Sequence, residues 1–456
     1  MTTTRSAPSD APEGMVTPDS PAWDEARSAW NLAADQRPDA VVMARSADDV
    51  AAAVRYAARE GLRVAVQSTG HGASAHGDLA GTLLINMAGM RGVTVDTDAR
   101  VARAEGGAQW QDVLAVTAPH GLTALHGSAH DVGVVGYTVG GGLGWLARKH
   151  GLACNAVTAV EVVLPDGTAR RLDADADADG DGFWAMRGGG GGFGVITAME
   201  FRLFPLTEAY AGWLIWPWER SEEILGAWSA WCADAPEDVT SVGRILQLPP
   251  IPDLPEEMRG AKLVVVEACF VCDREEADRL LAPLRALEPV KDTFDLMPAA
   301  ALTMLHMDPP EPVPGIADGG LLDTFPTEAA AALAAAAGPG SGSPLLSVEV
   351  RHLGGALDRI PEGAGALAFL DGEFALFAVG LPMTPEMGEA IDASITNVLQ
   401  TMGRWGFGRR YLNFAERPID ARSAFDGGAV ERLQAARDAA DPERILRPNH
   451  DVAPAA

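Results

Sequence analysis

Gly70-His71-Gly72 follows the apolar run Arg63-Val64-Ala65-Val66-Gln67, and two further glycine-dense stretches, Gly133 to Gly144 and Gly188 to Gly194, come later in the chain. Glycine at that density lets the main chain approach a ligand closely or turn through positive φ, because no Cβ obstructs either. Successive bare amides in such segments form concave anion sites, and three segments hold more donors than a small ligand requires. A large diphosphate cofactor fits that capacity. His71, at the lip of the first loop, stands where such a cofactor is within reach, although a lone loop histidine reads first as a hydrogen-bonding or pH-sensitive surface residue.

Other signatures are set aside on spacing. No G-x-x-x-x-G-K-[ST] occurs, and the glycines of 188–194 precede a strand-like run rather than follow one, so neither a P-loop nor a Rossmann dinucleotide fingerprint is supported. Cys269 and Cys272 have C-x-x-C spacing but end a strongly apolar run with no second pair, which reads as core cysteines. His126 and His130 stand four apart among glycines, a poor helix without a third ligand, so no metal is expected.

The elements that must position these residues follow from the pattern. With 456 residues the chain is too long for one simple core, and two domains are expected. Val41-Val42-Met43 reads as a strand, Ser46 with Asp49 as a capping box opening a helix over 48–60, and Gly61 as its stop. The strand Arg63 to Gln67 then completes a βαβ unit that delivers the chain into the loop at Ser68. Runs at 83–85, 93–95 and 101–104, a helix over 109–120 and a hairpin over 157–172 about Pro165-Asp166-Gly167 complete a mixed α+β domain. Past Pro205 the text turns to tryptophan-rich strands, the run Leu263 to Phe270 and Ala-rich helices, interrupted by loops expected at 309–320 and 338–344. A strand-like run at 411–414, a helix around 430–440 and a helix start at Asp441-Pro442 close the chain. The division is a lead-in over 1–36, a first domain over 37–205, an inserted domain over 206–404, and a segment over 405–456 that returns to the first.

Composition narrows the partners. Lys+Arg 35 against Asp+Glu 63 gives a formal charge of −28, which argues against nucleic acid and anionic membranes and means that an anionic substrate would need a local basic patch. Four cysteines are too few for a disulfide framework, Met1 to Ser20 has no apolar run and reads as a disordered lead-in, and no stretch approaches a membrane span. A soluble cytoplasmic protein, monomer or homo-oligomer, is expected.

Four blocks in order carry a resemblance: Val64 to Gly72, Gly127 to Leu152, Arg187 to Thr197, and Tyr411-Leu412-Asn413-Phe414 with the tail Arg447-Pro448-Asn449-His450. Together they resemble the berberine-bridge-enzyme-like flavoprotein oxidases of the vanillyl-alcohol-oxidase superfamily, from about residue 37 to the C-terminus. The resemblance implies an α+β fold, with a two-part FAD-binding domain and an inserted substrate domain built on an antiparallel sheet. It implies that His71 bonds covalently to the flavin 8-methyl carbon and that Gln67, Ser68, Thr69, Gly70 and Gly72 cradle the pyrophosphate. His76, Gly127, Ser128, Val132, Gly133, Gly136, Tyr137, Gly140, Gly141, Gly142, Gly144, Gly194, Val195 and Asn413 are the further cofactor contacts. Ala129 stands where many members have a cysteine that makes a second flavin bond, so one tether at most is expected, as in the 6-hydroxy-D-nicotine-oxidase-like members, with a weaker oxidant as the consequence. Val132 matches a position associated with oxygen access. Gly192 and Ala156 replace usual asparagines.

The chemistry implied is transfer of a hydride from a C–H bond beside O–H or N–H to flavin N5, while the protein removes the heteroatom's proton. Tyr411 is the candidate base. Its ordinary pKa of about 10 requires a neighbouring cation or hydrogen bond, for which Arg409 or Arg410 is available, and Asn413 would share its strand face. Glu349 and Arg351 share a strand face in the inserted domain and read first as solvated, with the substrate pocket as the alternative. The expected activity is FAD-dependent oxidation by O2 of an alcohol or amine carbon in a small metabolite, specialised or sugar-bearing, releasing H2O2. A 6-hydroxynicotine-type amine oxidase, an oxidative cyclase and a catalytically silent flavin-binding scaffold are the alternatives.

Overall fold

The computed structural model describes residues 11–175, 181–252 and 256–452. A first layer is a four-stranded sheet in which Ala40–Met43, Thr82–Asn86 and Arg63–Gln67 run parallel, Thr82–Asn86 lying in the centre. The expected βαβ unit is present, but its two strands are separated by the third. Its helix, Ala47–Glu60, starts where Ser46 Oγ accepts the Asp49 amide and ends at Gly61 with φ 69°. Asp49 reaches back to the Arg45 amide rather than to Ser46, so the box is shifted by one residue.

The lead-in is a structural part of this layer, which corrects the expectation of disorder. Met15–Val16 pairs antiparallel with Val42 and Val41, and a helix, Trp23–Arg27, follows. The part of that expectation covering residues 1–10 lies outside the described residues.

A five-stranded antiparallel sheet comes next, with Val101–Glu105, Val195–Arg202 and Val157–Val163 at its centre. The hairpin turn falls as expected, with the Thr168 amide held by Asp166. The helix Trp110–Thr117 and a short 3-10 turn, Ala118–His120, occupy the stretch expected to be helical.

Residues 208–380 contain an eight-stranded antiparallel sheet ordered through Glu208–Pro217, Lys262–Phe270, Val239–Gln247, Ser347–His352, Phe374–Gly380 and Ile316–Leu322. Successive side chains of a strand point to opposite faces. On one face Leu214, Trp216, Val264, Val266 and Leu376 pack under the helices Ser221–Cys232, Thr327–Ala337 and Pro385–Met402. On the other, Ala211, Trp213, Ile215, Val242 and Val265 pack against Leu125, Trp145, Leu146 and Ala153 of the first half of the chain. Because both faces are covered, the strand text is apolar almost throughout. Cys269 is buried, with burial pushing its thiol up to about 12, and Cys272 is pushed up to about 11, so both are inert thiols.

Three local expectations are corrected. The stretch 309–320 is a loop only in its first half, since Ile316–Leu322 is a strand whose glycines are required by contact: a Cβ on Gly319 would lie 2.2 Å from the Leu376 carbonyl oxygen. Tyr411 is extended, but Leu412–Phe414 is a 3-10 turn rather than a strand. Asp441 caps the end of the helix Gly427–Ala440 instead of starting a new one, and its carboxylate accepts from the amides of Ile445 and Leu446. The tail then runs back along the first sheet, where the Val64 amide bonds the Ile445 carbonyl and the Arg447 amide bonds the Val64 carbonyl.

Among the described residues no helix is long and apolar enough to cross a membrane.

Candidate functional site

The strand Arg63–Gln67 ends in a loop whose polar groups are already partly engaged. Gln67 donates to the Ser28 carbonyl and accepts from Gln36, so its amide braces the lead-in. Thr69 Oγ1 lies 2.8 Å from His71 Nδ1, and the His71 ring stacks on Trp30 with centroids 4.1 Å apart. Trp30 Nε1 donates to Asp131 at 2.5 Å, and the second Asp131 oxygen lies 3.6 Å from His71 Nε2. Burial pushes the Asp131 carboxyl up, but the nearby His71 imidazole and the hydrogen bond from Trp30 outweigh it and hold the group below its usual range. Trp30 and Asp131 were not singled out in the sequence, because their meeting depends on a separation of 101 residues.

Ser68 leads to the second glycine segment. A Cβ on Gly133 would lie 2.6 Å from Ser68 Oγ, so only glycine permits this approach. Gly133 caps the short helix Val134–Val139, so the first half of that segment is a helix rather than an open loop. Val132 is half-buried and its carbonyl accepts from the Trp110 amide, while Gly136 faces open space. The Tyr137 ring meets Trp110 edge-on, Gly127 lies against its edge, and Gly142 and Gly144 leave room for it.

At the far end of this helix the closest approach is between Gly140 and Asn413, where a Cβ would lie 1.8 Å from Oδ1. Asn413 Nδ2 donates to the Tyr137 carbonyl at 2.9 Å and to the Tyr411 hydroxyl at 3.2 Å, and Gly141 packs on the Tyr411 ring. The 3-10 turn, not a strand face, brings Asn413 back over Tyr411.

The cations expected beside Tyr411 are elsewhere. Arg409 donates to the Phe425 carbonyl and Arg410 binds Asp318. Burial pushes the Tyr411 phenol well above its usual range, Cys154 adds to that, and Asn413, the Gly142 amide and Arg351 oppose it. Arg351 is the cation that acts on the phenol; its guanidinium lies over the Phe414 ring, which packs edge-on against Tyr411.

Glu349 and Arg351 are not a solvated face. They belong to a ladder of ionised side chains on the sheet face turned toward Trp145: Arg244 Nη1 lies 2.7 Å from Glu267, His306 lies 2.6 Å from Glu267 and 2.8 Å from Glu349, and Arg351 Nε lies 2.7 Å from Glu349. Strand register makes it, since Arg244 stands opposite Glu349 while Val242 stands between Glu267 and Arg351. Burial and Arg244 push the His306 imidazole down, but the two carboxylates outweigh them and bring it up to about 9. Charged letters inside three apolar runs, Arg244, Glu267 and the pair Glu349 and Arg351, were the available signal, but nothing local says which strands are neighbours.

The remaining expected residues are less central. Gly70 packs on Ala29, Gly72 accepts from Asn449 at 2.6 Å, and Ser128 lies 3.2 Å from Asp308. His76 is buried and desolvation takes it down to about 4. Gly194 packs on Val162, and Val195 pairs with Val163 in the sheet core, which leaves only their main chain for a ligand. His126 is buried with Nδ1 on the Gly127 carbonyl.

The groups present fit a large ligand with polar edges. Ser68 Oγ and Tyr137 OH are buried without a hydrogen-bond partner, and His71 Nε2 and Asp131 Oδ1, also without one, face each other at 3.6 Å. Buried polar groups are normally satisfied, so this concentration marks a binding surface.

Comparison with known proteins agrees. Residues 38–173 match the family model of an FAD binding domain. The chain is 27% identical to (R)-6-hydroxynicotine oxidase of Paenarthrobacter nicotinovorans over 96% of each chain. It is 34% identical to glucooligosaccharide oxidase of Sarocladium strictum over 46% of this chain and 42% of that one. The crystal structure of 6-hydroxy-D-nicotine oxidase from Arthrobacter nicotinovorans superposes with a TM-score of 0.84 at 23% identity, covering 99% of this chain and all of the other.

Proposed function

We propose that the chain, which matches an FAD binding domain over residues 38–173 and is similar to (R)-6-hydroxynicotine oxidase over nearly its whole length, oxidises an alcohol or amine carbon of a small, specialised or sugar-bearing metabolite with O2 as the final acceptor. The observation that carries this reading is Asn413, which joins the Tyr411 hydroxyl to the Tyr137 carbonyl at the end of the glycine-walled helix. It links the candidate proton acceptor to the wall of unpartnered polar groups.

His71, Ser68, Thr69, Gly70, Gly72, Gly133 and Tyr137 would hold FAD, with His71 as its single covalent tether. FAD held there would supply a two-electron acceptor for the hydride of the substrate C–H bond, with O2 as the oxidant that restores it and H2O2 as the by-product. Trp30, stacked on the imidazole and bonded to Asp131, fixes the plane of the His71 ring. Tyr411 Oη takes the proton of the substrate O–H or N–H, with Asn413 and Arg351 favouring the charge that develops on the phenol. The sheet face carrying Trp213, Arg244, Glu349 and Arg351 closes the substrate side and excludes water.

Amine oxidation is a second reading, favoured by the relationship to (R)-6-hydroxynicotine oxidase over nearly the whole chain. A panel of alcohols, sugars and amines scored for peroxide release, with anaerobic bleaching of the yellow protein, tests both. Peroxide and bleaching with one class is the expected outcome; a yellow protein that no compound bleaches would mean a silent scaffold, and bleaching without oxygen consumption in turnover would mean a cyclase.

A further inference from the structure

We infer that Arg351 is the specificity-determining residue of this site and that it recognises a carboxylate on the substrate. The inference rests on the oxidase reading above and narrows its substrate to hydroxy or amino acids.

Arg351 is held by one edge only. Its Nε is bound to Glu349, and its two terminal nitrogens have no protein partner among the described residues. The guanidinium is fixed over Phe414, beside the Tyr411 phenol, and it lines the same cleft as Ser128, Trp145 and His352. A guanidinium held at Nε offers its remaining N–H groups as a planar fork, the geometry that pairs with a carboxylate.

Arg244, protonated His306 and Arg351 carry three positive charges against the three of Glu267, Glu349 and Asp308, so the cluster is balanced inside a chain with a formal charge of −28. Glu349 engages Arg351 at Nε alone, so the two terminal nitrogens are the donors this cluster leaves for an anion. Asp308, bonded to Ser128 at the mouth, is the opposing charge and repels an entering anion.

The test is binding, read as perturbation of the visible absorbance of the yellow holoenzyme by matched acids and amides under anaerobic conditions: lactate and lactamide, mandelate and mandelamide, gluconate and gluconamide. At least one acid should bind at least tenfold more tightly than its amide. Arg351→Gln should abolish that preference and Arg351→Lys should keep part of it, while Asp308→Asn should tighten acid binding severalfold. The inference is overturned if no acid outbinds its amide, or if Arg351→Gln retains the preference. Those results leave the oxidase reading intact as long as the protein is yellow and a neutral substrate bleaches it; a colourless protein would instead remove the oxidase reading itself.

Discussion

The imidazole of His71 lies face to face with the indole of Trp30, centroids 4.1 Å apart and planes 16° from parallel. The stack, with Asp131 bridging the indole N–H and the imidazole, holds His71 in one orientation. An aromatic pair of this kind contributes about 0.5–1.5 kcal/mol beyond its buried area. Trp30→Leu removes both the stack and the hydrogen bond to Asp131. It should lower the fraction of protein carrying acid-stable flavin severalfold, measured as yellow colour in the acid pellet against the supernatant, while an unchanged fraction would show that His71 needs no such support.

Tyr411→Phe should lower kcat/KM by about 10²–10⁴, the usual contribution of a positioned acid or base. Because burial raises the phenol above its ordinary range, wild-type kcat/KM should climb with pH from neutrality to about pH 10, the ordinary phenol region, without levelling off. Stopped-flow bleaching rates across that range would show it, and the variant's profile should lack the rise. A wild-type profile that levels below pH 8 would assign the proton to another group.

The ladder should give the fold a pH dependence of its own. The folded pKa of His306 is raised from 6.5 to about 9, so its contribution to stability is complete below pH 6.5 and is lost as the pH rises through about 9. Thermal unfolding of wild type should show Tm falling across that window beyond the fall seen in His306→Gln. Parallel curves for the two proteins would contradict the ladder.

Arg437, fully buried, joins the C-terminal helix to the third glycine segment and the tail through Asp441, the Gly192 carbonyl and the Leu446 carbonyl. Removing one partner of a buried ion pair costs about 3–5 kcal/mol. Arg437→Ala should therefore lower the urea midpoint by a corresponding amount, and a loss under about 1 kcal/mol would mean that the tail is not held here.

These predictions draw on residues that differ in how far their roles could be read from the sequence. Gly133 and Gly140 were legible as places of close approach, since dense glycine has a local steric cause, but the approach is to the side chains of Ser68 and Asn413. Tyr411 and Asn413 were legible as a pair, but periodicity misassigned their backbone, since a three-residue 3-10 turn is too short to have a period. The strand Ile316–Leu322 was hidden because Asp318, Gly319 and Gly320 have poor strand preference, and their reason, the closeness of Leu376 and Phe407, is tertiary. The ladder was least legible of all. Arg244, Glu267, His306 and Glu349 meet only once three strands are in register, and Trp30 reaches His71 only once the lead-in folds back.

The central claim is that glycine-lined main chain and His71 together grip FAD. Acid precipitation of the purified yellow protein followed by peptide mass mapping tests it most directly. The colour should stay in the pellet, and the peptide containing His71 should be heavier by one FAD. Colour released to the supernatant would contradict the tether, and a protein with no flavin in either fraction would contradict the claim as a whole.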